Sequence, residues 1–127
     1  MRPHERFDAW KFCFQLTLRV YAESRDWPRN EMFGLTSQVR RSAVSAVANI
    51  VEGAAKRGRR EFRRYLDISS GSLAELGCLL DLARELGYTT EARWRSVSTE
   101  WEKAARTTMA LNRAMSENTK GRLDRKG

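Results

Sequence analysis

The sequence predicts an all-α fold, an up-down-up-down antiparallel four-helix bundle. Three observations lead there. Apolar residues recur at steps of three and four over four long stretches, the spacing of one helix face. Only two prolines occur in 127 residues, Pro3 and Pro28, and Pro28 alone interrupts a candidate element. No Asn-Gly or similar hairpin turn lies between alternating runs. The length suits a single domain built on one core.

The first helix carries Phe7, Trp10, Phe14, Leu18 and Tyr21 and stops before Trp27-Pro28, because the residue ahead of a proline is pushed out of the helical region. The second starts near Glu31 and sets Leu35, Val39, Ala43, Val47 and Ile50 on one stripe. Its neighbouring stripe of Ser42, Ala46, Asn49 and Gly53 is small and lets a partner backbone come close. The third is the most regular: Phe62, Leu66, Ser69, Leu73, Leu76, Leu80 and Ala83 keep a strict three-four alternation. Tyr65, Ile68, Leu79, Leu82 and Leu86 widen that stripe, Tyr65 pointing inward, and Gly87 is placed as the C-terminal cap. The fourth holds Trp94, Val97, Trp101, Ala104 or Ala105, Thr108 and Leu111, and follows Thr89-Thr90, either of which can cap its first amides. Short loops make successive helices antiparallel. The bundle domain is expected over residues 1–115, with a basic, flexible tail over 116–127. Helices 3 and 4 carry more apolar surface than a four-helix core needs, which suggests self-association.

At 41% hydrophobic and 31% charged the chain has the composition of a globular protein. No apolar run approaches the roughly 18 residues that span a bilayer, so no membrane partner is expected. The N-terminus, MRPHERFDAW, meets charge before any apolar run and does not read as a signal peptide. Cys13 and Cys78 form no CxxC, and the expectation is two buried free thiols in a reducing cytoplasm.

A search for catalytic chemistry finds little. The single histidine, His4, lies in an N-terminus expected to fray, so neither a His-based triad nor a zinc cluster can be assembled. Gly53 and Gly58 make neither a P-loop nor a dinucleotide fingerprint. Glu52 and Glu75 are the acidic residues nearest the bundle interior. Glu75 is expected in a structural ion pair with Arg40 or Arg41, and Asn49 is expected buried with its amide hydrogen-bonded. No enzyme, metal or cofactor is expected.

The charge distribution says more. The stretch KRGRREFRR over residues 56–64 holds six bases and one acid, residues 112–127 hold five bases and two acids, and the rest is balanced. Lys56 and Arg57 suit the negative end of helix 2. Arg59, Arg60, Arg63 and Arg64 fall in the first turns of helix 3, where the dipole is positive and 59/63 and 60/64 are like-charged neighbours. Dipole and pair terms together oppose this placement by ~1–2 kcal/mol if nothing negative is near. A helix N-terminus with added arginines is a phosphate site; an acidic patch on a neighbouring subunit neutralises it equally well, and a solvated face is the third reading.

The stretches EMFGLTSQVRRSAVSAVANIVEG (31–53) and EFRRYLDISSGSLAEL (61–76) carry a resemblance. Their order of Glu31, Gly34-Leu35, Gln38, Arg40-Arg41, Ser45, Asn49-Ile50, Glu52-Gly53, Glu61-Phe62, Gly71-Ser72 and Glu75-Leu76 resembles the four-helix-bundle family found in 23S rRNA intervening sequences. It departs at Val47, where many members have proline, at Ala54-Ala55, which replaces an aromatic-glycine pair, and at Gly58, which replaces a capping serine. The resemblance implies a cytoplasmic, non-enzymatic homopentamer. The chain is also similar to accessory proteins of diversity-generating retroelements, whose basic pentamers bind RNA and a reverse transcriptase. Two functions are therefore expected in competition. One is RNA binding through Lys56, Arg57, Arg59, Arg60, Arg63 and Arg64, joined by the 120–126 tail. The other is a scaffold that docks an acidic protein such as a reverse transcriptase without touching nucleic acid.

Overall fold

A computed structural model describes the backbone of residues 1–126 and the side chains through Glu117. Among these residues there is no strand. Four helices carry the fold: α1 (Asp8–Glu23), α2 (Leu35–Ala55), α3 (Arg59–Glu85) and α4 (Glu91–Lys126). Short 3-10 turns occupy Pro3–Arg6, Ser24–Asp26 and Arg29–Glu31. Around the bundle, α1 packs on α2 and α4, and α3 packs on the same two from the other side. The α1–α2 and α3–α4 junctions meet at one end, where Trp27 and Tyr88 lie 6.1 Å apart and the Tyr88 hydroxyl donates to Glu31 Oε2 at 2.7 Å. At the other end Phe7, just before α1, meets Phe62 in the first turn of α3 at 5.2 Å.

Helix α3 is the spine. Its buried residues are the seven of the three-four alternation, Phe62, Leu66, Ser69, Leu73, Leu76, Leu80 and Ala83. Tight packing against α2 follows from the small stripe: the Ser69 hydroxyl donates to the Ala46 carbonyl at 2.8 Å. A Cβ placed on Gly53 would lie 2.7 Å from Tyr65 Cβ. Gly87, at φ +78°, ends α3 with the Tyr88 amide bonded back to the Ala83 carbonyl, a turn that favours glycine. Thr90 caps α4, its hydroxyl accepting from the Arg93 amide at 3.1 Å.

Several expectations are corrected. The buried face of α1 is Ala9, Cys13, Leu16 and Val20, while Phe14, Leu18 and Tyr21 are exposed. Both registers obey three-four spacing, and the one that includes Leu16 and Val20 is the one that faces the core. Helix α2 begins at Leu35 rather than Glu31, and Glu31 instead caps it from outside, Oε1 accepting from the Leu35 amide at 3.3 Å. His4 does not fray: it is buried, its ring 4.8 Å from Trp10, inside a turn clasped by Arg2 and Glu5 at 3.0 Å. Cys13 is buried but Cys78 is exposed. Ile68, Leu82 and Leu86 are likewise exposed. Helix α4 runs past residue 115, and the basic 120–126 segment lies outside the residues whose side chains are described.

Candidate nucleic-acid interface

The basic stretch forms a sharp corner between α2 and α3. Lys56 is the extended C-cap of α2, and Gly58, at φ +85°, turns the chain into α3. A serine expected at this cap would meet a left-handed backbone, so glycine is the fitting residue here. No side chain caps the first amides of α3, and nothing lies within 4 Å of a Cβ placed on Gly58. Lys56, Arg57, Arg59, Arg60 and Arg64 are exposed, and Arg63 is half-buried with its Nε lacking a partner.

The one acid in the stretch is committed locally. Glu61 pairs with Arg64 at 2.9 Å. The hydrogen bond from Arg64, then its charge, holds the Glu61 carboxyl below the ordinary carboxylate range, and Lys56 and Arg60 add to the effect. Tyr65 does not point fully inward. It is half-buried, with the Arg64 guanidinium 4.6 Å and the Lys56 ammonium 5.8 Å from its ring centre. Lys56, Arg57, Arg59, Arg60 and Arg63 make no ion pair among the described residues.

The fold adds Arg6 and Phe7 to this corner, which no sequence pattern indicated, because they lie about fifty residues away along the chain. With Ala54, Lys56, Arg59 and Phe62 they line a pocket of about 220 Å³. Phe7 packs against the core from the edge, as its place on the α1 stripe predicts, and the tucked N-terminal turn that brings Arg6 here carries no repeat or motif.

The expected polar network of Arg40, Arg41, Asn49, Glu52 and Glu75 is not assembled within the protomer. Glu75, Glu52 and Arg41 are exposed, and Glu75 pairs with neither arginine. Arg40 lies on α2 toward α1, where its Nε donates to Ser24 Oγ at 2.9 Å and its guanidinium stacks 4.8 Å from the Tyr21 ring. Asn49 is half-buried and satisfied within its own helix, donating to the Ser45 carbonyl at 2.7 Å. Among the described residues no three His, Cys, Asp or Glu side chains gather to hold a metal ion, and no helix is long and apolar enough to cross a membrane.

Two further surfaces are apolar. Between α3 and α4 runs a groove of about 620 Å³, with Leu73, Ala74, Gly77, Trp94, Trp101 and Met109 along it. Gly77 makes room for Trp101, whose ring atom Cζ2 lies 2.7 Å from where a Cβ would be, and the Trp101 indole donates to the Leu73 carbonyl at 2.7 Å. On the opposite side, α1 raises a ridge of Phe14, Leu18 and Tyr21, 46%, 61% and 41% exposed.

A helical bundle with a cationic corner, five of whose charges make no ion pair among the described residues, is the class that fold and site define. Residues 5–110 match the family model of the 23S rRNA-intervening sequence protein, and the chain belongs to that family. Among solved structures it is similar to a crystal structure of a protein with unknown function from the S23 ribosomal protein family of Bacteroides thetaiotaomicron VPI-5482. The TM-score is 0.73 at 20% identity over 82% of this chain and 97% of that one, a likeness of fold. No curated protein matches.

Proposed function

We propose that this protein is a non-enzymatic, cytoplasmic RNA-binding homo-oligomer that holds phosphates at the α2–α3 corner. The observation that carries this reading is the cluster of cations around the uncapped start of α3, of which Lys56, Arg57, Arg59, Arg60 and Arg63 make no ion pair among the described residues. Free amides and guanidinium forks converge there on one kind of ligand, a phosphate oxygen. Lys56, Arg57, Arg59 and Arg60 form the outer rank. Arg63 stands behind them, and Arg64 is shared with Glu61.

The oligomeric part rests on the two apolar surfaces. With α1 diagonal to α3, the ridge on α1 and the groove between α3 and α4 face away from each other. A convex patch and a concave patch on opposite sides make a heterologous contact, which closes into a ring when the rotation allows. The short loops make the helices run up-down-up-down, and five subunits are what the family resemblance implies. Repeating a weak phosphate site around a ring raises the affinity for one RNA chain that reaches several of them.

The test is the quadruple change of Lys56, Arg57, Arg59 and Arg60 to Gln. Melting temperature, oligomer size and affinity for single-stranded RNA are measured across salt. The wild-type affinity should fall steeply with salt, by a slope of about 0.7 per phosphate neutralised, and the variant should lose the slope while keeping its size and melting temperature. A variant that falls into monomers and a wild type without salt dependence would show that the corner faces a neighbouring subunit. Intact rings that capture a reverse transcriptase or another acidic protein but no RNA would favour the scaffold.

A further inference from the structure

We infer that the pocket beside the cationic corner takes one unpaired nucleobase, so that the preferred ligand is single-stranded RNA rather than duplex. This rests on the RNA-binding reading and specifies it. The pocket has a volume of about 220 Å³ and is open to solvent on one side, so a single flat ring can enter it. Its apolar lining is Phe7, Ala54, Phe62 and Met115, and Arg6, Lys56 and Arg59 supply charge with no acid among the lining residues; Glu61, which feels the Lys56 charge, is held by Arg64. An apolar lining beside cationic groups suits a flat body joined to a negative charge.

Two details fit the nucleotide and not merely the phosphate. The Arg6 guanidinium already lies 4.9 Å from the Phe7 ring centre, so a planar group reaches that ring from solvent. A base, equally flat, stacks on the aromatic lining or on the guanidinium plane. Gly58 and Arg59 line the same pocket. A base in the pocket therefore leaves its own phosphate beside the uncapped amides at the start of α3, with open space around Gly58. Duplex RNA presents the same phosphates but keeps its bases paired and stacked, out of reach of the lining. Charge alone does not distinguish the two ligands; the pocket does.

The experiment compares three fluorescently labelled ligands on the full chain at fixed salt: an unstructured oligoadenylate, the same backbone with abasic sites, and an RNA duplex of equal length. The abasic strand keeps the phosphates and removes the rings. Its affinity should be about tenfold weaker than that of oligoadenylate, the scale of base–aromatic stacking, with an unchanged salt slope. Ala54→Phe, which fills the pocket without altering charge, should weaken oligoadenylate by a similar factor and leave the abasic strand unaffected. The abasic arm uses wild-type protein, so it decides the matter even where the variant folds poorly. Equal, salt-steep affinities for oligoadenylate and the abasic strand overturn the pocket while leaving the phosphate site standing. Affinities insensitive to salt, unchanged in the Lys56, Arg57, Arg59, Arg60→Gln variant, overturn both.

Discussion

Replacing Arg93 by methionine tests what joins the start of α4 to the end of α1. Arg93 Nε donates to Glu23 Oε2 at 3.0 Å and its terminal nitrogens reach Asp26 at 2.9 and 3.0 Å and the Glu23 carbonyl at 3.1 Å. The two acidic partners differ in kind. Glu23 is 3% exposed, with Oε1 buried and unpartnered, whereas Asp26 is at the surface. Breaking a buried pair costs ~3–5 kcal/mol because a charge is stranded. The Arg93 side chain is 38% exposed, so water reaches the gap and the expected loss is about 2–3 kcal/mol. At about 2.1 cal/mol/K per residue, a chain of this length unfolds with an entropy of about 0.27 kcal/mol/K, so the melting temperature should fall by roughly 7–11 °C. Glu23→Gln in the same background should restore more than half, whereas Asp26→Asn alone should change little, since exposed pairs contribute weakly. Thermal unfolding by circular dichroism reads all four proteins. If Arg93→Met costs no more than Asp26→Asn, or if Glu23→Gln fails to rescue it, the buried carboxylate is not what Arg93 holds. The Arg93 hydrogen bond also keeps the Asp26 carboxyl below the ordinary range. Its contribution is thus present above the unfolded value of about 3.9 and lost as pH falls through the lower folded one. Asp26→Asn should flatten the acid limb of the stability curve there.

Other predictions follow from packing. Leu16→Ala should cost about 2–5 kcal/mol, whereas Leu18→Ser should leave the melting of the single chain almost unchanged and shift the oligomer proposed above toward monomer in sedimentation; equal costs would mean that α1 is rotated. Burial pushes the Cys13 thiol up to about 11, against a weaker opposing hydrogen bond with Thr108. Iodoacetamide at neutral pH should therefore spare Cys13 until the protein unfolds, while exposed Cys78, in the α3–α4 groove, reacts in the folded single chain and is protected only where the oligomer proposed above covers the groove. Gly58→Ala should lose roughly 1–2 kcal/mol through its left-handed backbone alone, since no neighbour lies within 4 Å; an unchanged melting temperature would show that the corner relaxes.

How much was legible depended on whether periodicity had a rival. On α3 the register 62, 66, 69, 73, 76, 80, 83 is apolar or small throughout, whereas its neighbour 65, 68, 72, 75, 79, 82, 86 is broken by Ser72 and Glu75, and all seven expected residues are buried. On α1 two registers satisfy the same spacing, and aromatic content misled: the register with Phe14 and Tyr21 is exposed, whereas Ala9, Cys13, Leu16 and Val20 are buried. Caps were readable where chemistry is local, as at Thr90 and Gly87. The cationic corner was visible as a run of charge, and the commitment of Arg64 to Glu61 is a three-residue step that helical spacing contains. Arg6 and Phe7 were not, because what brings them to residues 54–62 is the tertiary fold. Glu75 misled for a different reason: a charge beside a leucine stripe lies at its edge as easily as inside it, and here it faces solvent.

Glu31 and Gly34 act as one mutational unit. The carboxylate of Glu31 divides its oxygens between the Leu35 amide and the Tyr88 hydroxyl, and a Cβ on Gly34 would lie 2.6 Å from the oxygen that holds the amide. While Glu31 is present, a side chain at position 34 must displace that oxygen and uncap α2. Once Glu31 is shortened to alanine, the obstacle is gone and Gly34→Ala no longer meets it. The cost of changing the glycine therefore depends on the order in which the two positions change. A lineage that loses the acid first changes the glycine at a lower cost than one that changes the glycine first, since only the latter gives up the cap at that step.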